Sequence, residues 1–187
     1  MPHSPGGPEG ERQLALIREL SQVAASLGIP IWLRGGWAMD FFLGRVTRPH
    51  EDVDLFIWAS DAERLLESLE AHGFAELGGP PPERQRNVGR EGVEVHITLL
   101  ERAPSGDVFT AAAPSDWEAW PAGMLGTGTG RIGDVSCPIV SAESQLEVKR
   151  RFREWRPDRP EREKDRADIE VLEEALRSSL RPSEPRA

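Results

Sequence analysis

The chain has 187 residues, 38% of them hydrophobic, and a formal charge of −9 from 23 basic and 32 acidic side chains. That size suits one domain with a small appendage, and the acidity argues against a protein built to lie along DNA or RNA, whose phosphates demand a basic face. The lone cysteine, Cys137, excludes an intramolecular disulfide and a cysteine-rich metal site. No apolar run approaches the roughly 20 residues that span a bilayer, and the Pro/Gly-rich start lacks the apolar stretch of a signal peptide, so a cytoplasmic protein with no membrane partner is expected.

Residues 1–10 read as a disordered tail. From Glu11 apolar residues recur at helical spacing (Leu14, Ile17, Leu20, Ala24, Leu27), and Gly28 stands where a C-terminal cap belongs. Pro30 to Leu33 reads as a short strand, broken by Gly35 and Gly36, and Trp37 to Leu43 as a helix stopped by Gly44. Val53 to Trp58 is the next strand. Ser60 and Glu63 form a capping box for a helix that carries Leu65, Leu66 and Leu69 and ends at Gly73. After a strand at Phe74–Leu77 and a loop at Gly78–Pro82, Gln85–Arg90 and Gly92–Leu100 read as a hairpin. Within it Val93, Val95 and Ile97 take one face, and Glu94, His96 and Thr98 the other.

Residues 101–133, rich in Gly, Pro and Ala, give no clear pattern. A strand follows at Val135–Val140, and Ser141 caps a helix that runs to about Trp155. Pro160 suits the first turn of a last helix, with Val171, Leu172, Ala175, Leu176 and Leu180 on one stripe, and residues 181–187 should fray. Interleaved strands and helices give an α+β fold, a small mixed sheet flanked by helices. The expected organisation is a core over 11–140 with C-terminal helices over 141–180 packed on it.

The chemistry concentrates in Arg34-Gly35-Gly36-Trp37 and in the run from Arg48 to Leu55. Two glycines between a strand and a helix let backbone approach a phosphate, and a helix N-terminus favours the anion. Asp52 and Asp54, two apart on a strand, project from one face, where paired carboxylates suit Mg²⁺ together with substrate phosphates. Other patterns fail. The run Gly126 to Gly130 lacks the ending of a Walker loop and precedes a strand, so it reads as a flexible turn. The four histidines have no zinc spacing, and no nucleophile elbow is present.

The stretch GGWAMDFFLGRVTRPHEDVDL resembles the signature of the aminoglycoside 2''-adenylyltransferase and lincosamide nucleotidyltransferase families, of the polymerase-beta-like nucleotidyltransferase superfamily. The similarity is dense from Trp32 to Leu55 and weaker beyond. It implies that Asp52 and Asp54 bind the metal, two Mg²⁺ ions, and that a third acid lies on a neighbouring strand. Val93-Glu94-Val95-His96 fits that pattern with Glu in place of Asp, so Glu94 becomes the third ligand and the general base. Gly35, Gly36, Trp37, Arg48, His50 and Lys149 become the nucleotide-binding set. Asp40, one turn after Trp37, suits bonding the backbone of the acid loop, and Asp165 with Asp168 suits helix packing. The basic run Lys149, Arg150, Arg151 and Arg153 otherwise reads as a solvated helix face.

The expected activity is transfer of a nucleoside monophosphate, AMP from ATP, to a hydroxyl of a small acceptor such as an aminoglycoside or a lincosamide-like antibiotic. Two alternatives share the core: a toxin–antitoxin nucleotidyltransferase acting on RNA or protein, and a non-catalytic nucleotide-binding relative. The acidic composition argues against the first, and intact acids at three positions against the second.

Overall fold

In a computed structural model that describes residues 7–115, 117–155 and 163–179, the chain runs α1 (Gly7–Ser26), β1 (Ile31–Arg34), α2 (Gly35–Leu43), β2 (Val53–Trp58), α3 (Ala62–Ala71), β3 (Ala75–Leu77), β4 (Gln85–Arg90), β5 (Val93–Arg102), β6 (Val108–Thr110), β7 (Thr129–Ile132), β8 (Val135–Pro138), α4 (Ala142–Trp155) and α5 (Glu163–Ser179). The main sheet has the order β1-β2-β5-β4-β3, with β6 also paired to β5, and β7 and β8 form a separate hairpin. Only β2 and β5 run parallel within the main sheet. The fold is α+β, as the interleaved pattern predicts.

Strand alternation sorts the sheet into two faces. Ile31 and Leu33, Val53, Leu55 and Ile57, and Val95, Ile97 and Leu99 join the buried apolar core with Leu16, Ile17, Leu20 and Val23 of α1 and Leu65 and Leu69 of α3. The register places Arg34, Asp54, His96 and Asn87 in one cross-strand row on the opposite face, and Trp32, Phe56, Thr98 and Gln85 in the next. The site therefore lies on the face away from α1 and α3. A smaller cluster of Met39, Ala142, Leu146 and Leu172 fastens α4 and α5 onto α2. Among the described residues, no helix is long and apolar enough to cross a membrane.

Several boundaries differ from the sequence reading. α1 begins at Gly7, inside the stretch expected to be a tail, and residues 1–6 lie outside the described residues. α2 begins at Gly35, so the two glycines form its first turn instead of a break before it. The Ser60 capping box does not form: Ala59–Asp61 is a 3-10 turn, and α3 starts one residue later than expected, at Ala62. That phase turns Ala62, Leu65 and Leu69 onto the sheet, and burial of the stripe outweighs one cap. The expected hairpin of β4 and β5 forms, with Glu91 and Gly92 both at positive φ in a two-residue turn, so Gly92 belongs to the turn and not to the strand. The Ser141 hydroxyl accepts the Ser144 backbone N–H at 3.2 Å, the predicted cap of α4. Pro160 and Leu180 lie outside the described residues.

The Gly126–Gly130 run is no flexible turn at its end, because Gly130 is buried within β7. A Cβ there would lie 2.7 Å from the backbone carbon of Phe41 and 2.8 Å from its oxygen, so only glycine lets β7 approach α2. Gly130→Ala should lower the stability of the protein by about 1–3 kcal/mol, the usual cost of overpacking. Denaturant midpoints of parent and variant measure it, and equal midpoints would refute the close approach.

Candidate active site

An open cavity of about 210 Å³ lies between the N-terminal end of α2, the open face of the sheet and the helices α4 and α5. Asp54 reaches it from β2, and Asp52 from the loop just before that strand. Gly35 makes this junction possible. Its φ is +67°, and a Cβ would stand 2.9 Å from the Asp54 carboxylate oxygen Oδ2, so a side chain here would meet both backbone strain and the acid itself. A Cβ on Gly36 would overlap the His50 ring, 2.4 Å from Nδ1.

The loop between α2 and β2 is held from beneath. Asp40, fully buried, accepts the Thr47 backbone N–H at 3.1 Å and the Thr47 hydroxyl at 2.5 Å. His50 Nε2 donates to Asp40 Oδ2 at 2.6 Å, and His50 Nδ1 faces Arg48 Nη1 at 3.1 Å. This is the loop-bonding role expected for Asp40. Gln13 of α1 completes the support: its amide Nε2 donates to the His50 carbonyl at 3.0 Å, and its Oε1 accepts the Trp37 indole N–H at 3.1 Å. Trp37 is 1% exposed. Sequence reasoning missed Gln13, although a polar residue in phase with the buried Leu16, Ile17 and Leu20 was its signal.

Asp168 of α5 is the second hub. Both of its oxygens accept from Arg48, at 3.2 and 3.0 Å, and Lys149 Nζ donates to Oδ2 at 2.8 Å. Lys149 also stands 3.7 Å from Asp165. Burial alone would raise the Asp168 carboxyl, but the bonds and charges of Arg48 and Lys149 outweigh it and hold the group below the usual carboxylate range. The same partnership lifts the Arg48 guanidinium against its own burial. Of the basic run, Lys149 thus faces inward, whereas Arg150 pairs with Glu173 and Arg151 with Glu118 on the outside.

A depressed carboxylate has a definite sign in stability. Between its folded and unfolded pKa values the native state binds fewer protons, so Asp168 stabilises the protein above the ordinary carboxylate pKa, and the gain is lost as pH falls through the folded value. Asp168→Asn would leave Arg48 and Lys149 facing an uncharged amide, at a cost of about 3 kcal/mol. It should also flatten part of the acid limb of the stability-versus-pH curve. Denaturant melts across the acid range test both, and a variant as stable and as acid-sensitive as the parent would refute the hub.

Asp52, Asp54 and His96 offer ligand atoms that all lie within 4.8 Å of one another. His96 Nδ1 is 3.4 Å from Asp52 Oδ2 and 3.9 Å from Asp54 Oδ1. Burial, then repulsion from Asp54, raises the Asp52 carboxyl, with Glu51 adding to the rise and His96 and Lys164 opposing it. Two hard carboxylates that repel each other at a cleft mouth fit a divalent cation, which would relieve the repulsion. Glu94 shares the face of Asp54 and His96 but lies outside this group of three. Its side chain is 59% exposed, with Oε2 at 3.4 Å from His96 Nε2, so the imidazole stands between it and the aspartates. The nucleotide-binding set expected from sequence (Gly35, Gly36, Trp37, Arg48, His50 and Lys149) all borders the cavity.

The fold is that of small nucleotidyltransferases. The crystal structure of ANT(2'')-Ia in complex with adenylyl-2''-tobramycin is similar at a TM-score of 0.70 with 21% identity, covering 90% of this chain and 91% of that one. Lincosamide antibiotic adenylyltransferase LnuA, solved with lincomycin bound, gives 0.67 and 22%, covering 88% of this chain and 97% of that one. The chain belongs to the aminoglycoside-2''-adenylyltransferase family, whose profile matches residues 16–172. A 2''-aminoglycoside nucleotidyltransferase of Escherichia coli is 49% identical over 68 residues, 35% of this chain and 38% of that protein. The matched stretch thus spans little more than a third of that relative.

Proposed function

We propose that this chain transfers a nucleoside monophosphate, AMP from ATP, to a hydroxyl of a small acceptor of the aminoglycoside or lincosamide type. The observation that carries the reading is the pair Asp52 and Asp54 at the mouth of a cleft, with the glycine-led start of α2 directly against Asp54. Family membership and a shared fold support it.

Asp52 and Asp54, with Glu94 as third acid, would hold Mg²⁺, two ions in this reading. When bound, these ions supply charge neutralisation on the phosphoryl oxygens and on departing pyrophosphate. The chain's own groups do the rest. Backbone amides at Gly35 and Gly36 receive the phosphates at the positive end of α2. The loop fixed by Asp40 and Gln13 keeps Asp52 and Asp54 in place, so little reorganisation accompanies binding. The acceptor oxygen bonds to the α-phosphorus, the bond to the bridging oxygen of the β-phosphate breaks, and pyrophosphate leaves. The acceptor's proton goes to Glu94 Oε2, with His96 Nε2 beside it as a positioning group. The enzyme would work in the cytoplasm, with no membrane or nucleic-acid partner.

Incubation of the protein with labelled nucleoside triphosphates, Mg²⁺ and separate panels of antibiotics, RNA and protein tests the reading. Labelled antibiotic and stoichiometric pyrophosphate are expected. Label on RNA or protein alone would move the chain to the toxin class, and no label anywhere would leave a nucleotide-binding relative.

A further inference from the structure

Among the described residues, four cations border the cavity: Arg34, Arg48, Lys149 and Lys164. They differ in how firmly they are held. Arg34 lies over the Phe56 ring at 4.7 Å and donates to the Thr98 hydroxyl at 3.0 Å. Arg48 and Lys149 share Asp168, whose side chain is 3% exposed. To turn either toward a ligand strips a buried carboxylate of a partner, which is expensive. Lys164, in the first turn of α5, is bound differently: its Nζ stands 3.2 Å from Glu51 Oε1, and the Glu51 side chain is 82% exposed. Exposed pairs of that kind are weak and break at little cost. Glu51 immediately precedes Asp52 and borders the same cavity.

We propose that Lys164 is the exchangeable phosphate ligand of this cleft, leaving Glu51 to bind the triphosphate chain of the incoming nucleotide. The assignment rests on the nucleotidyltransferase reading and changes the division of labour within it. Arg48 and Lys149, the cations expected to bind phosphate, become the fixed frame, and Lys164 becomes the arm that moves. Glu51 holds that arm until a nucleotide binds and competes with the nucleotide for it.

Two opposite mutational effects follow from that competition. Lys164→Ala should weaken binding of Mg²⁺–ATP about tenfold, the usual worth of one charge-assisted hydrogen bond. Lys164→Arg should restore much of the loss. Glu51→Gln should tighten binding about two- to threefold by release of the lysine, and should have no effect in the Lys164→Ala background. AMP, which lacks the outer phosphates, should bind parent and Lys164→Ala alike. Calorimetry on the full chain with Mg²⁺–ATP and with AMP reads all of these, and melting temperatures confirm that the variants fold. A parent that binds no Mg²⁺–ATP overturns the nucleotidyltransferase reading itself. A parent that binds it, with Lys164→Ala binding equally well, overturns only the assignment of Lys164. A loss for AMP as large as for ATP would also overturn it, because the lysine would then act on the nucleoside or on the fold.

Discussion

Asp54→Asn is expected to reduce nucleotide transfer to background while the protein stays folded. The substitution keeps shape and removes one charge. Asp54 sits in the cross-strand row with Arg34 and His96 and is partly exposed at the cleft, outside the apolar core. Its charge therefore matters to chemistry far more than to packing. Its loss should even help the apo fold slightly, because repulsion from Asp54 is one reason that the Asp52 carboxyl is raised. The two measurements are turnover of labelled triphosphate and the melting temperature without divalent cation. Turnover near the parent's would remove Asp54 from the reaction, and a collapsed melting temperature would make it a structural acid.

Glu94→Gln should slow transfer by about 100-fold or more, the usual worth of a positioned base, and His96→Ala should cost less. The geometry makes this a real contest, because His96, not Glu94, stands within ligand distance of both aspartates. An imidazole has an unperturbed pKa near 6.5 and suits proton transfer near neutral pH. Beside a divalent cation, though, a carboxylate is the group whose charged form is favoured, and a protonated imidazole would be repelled. Glu94 is also the more exposed of the two, open to an acceptor that arrives from solvent. Glu94→Asp should retain some activity, since it keeps a carboxylate on the same face of the strand with a reach one methylene shorter. Rates across pH, taken at saturating nucleotide, read the outcome. An inactive His96→Ala beside a nearly normal Glu94→Gln would exchange the two roles and make His96 the residue that faces the reacting hydroxyl.

The strands that carry these residues were legible because sheet burial writes itself into the sequence with period two. Val53 to Trp58 and the alternation from Val93 to Thr98 gave the two parallel strands and the shared face of Asp54, Glu94 and His96. The glycine pair was legible as a phosphate approach, but not as the first turn of a helix, since glycine has poor helix propensity and its demand there comes from the positive φ of Gly35 and from distant partners, Asp54 and His50. The short strands β6 and β7 were hidden within a Gly/Pro-rich stretch, because three or four residues carry too little periodicity to show. Long-range polar pairing was the least readable layer. Gln13 with His50, and Asp168 with Arg48, are separated by 37 and 120 residues. Nothing local marks a carboxylate on α5 as the partner of an arginine in a loop far upstream.

That last separation bears on how the molecule comes into being. The frame of the cleft is closed by a residue 120 positions after the arginine it holds. As the chain emerges from a ribosome, the sheet and its two aspartates are complete well before α5 exists, and until then Arg48 has no Asp168 to close on. A nascent chain halted before residue 168 would thus display the acids beside an arginine and a lysine that have no Asp168 to hold them. Assembly of the binding cleft is a late event, tied to the docking of α5.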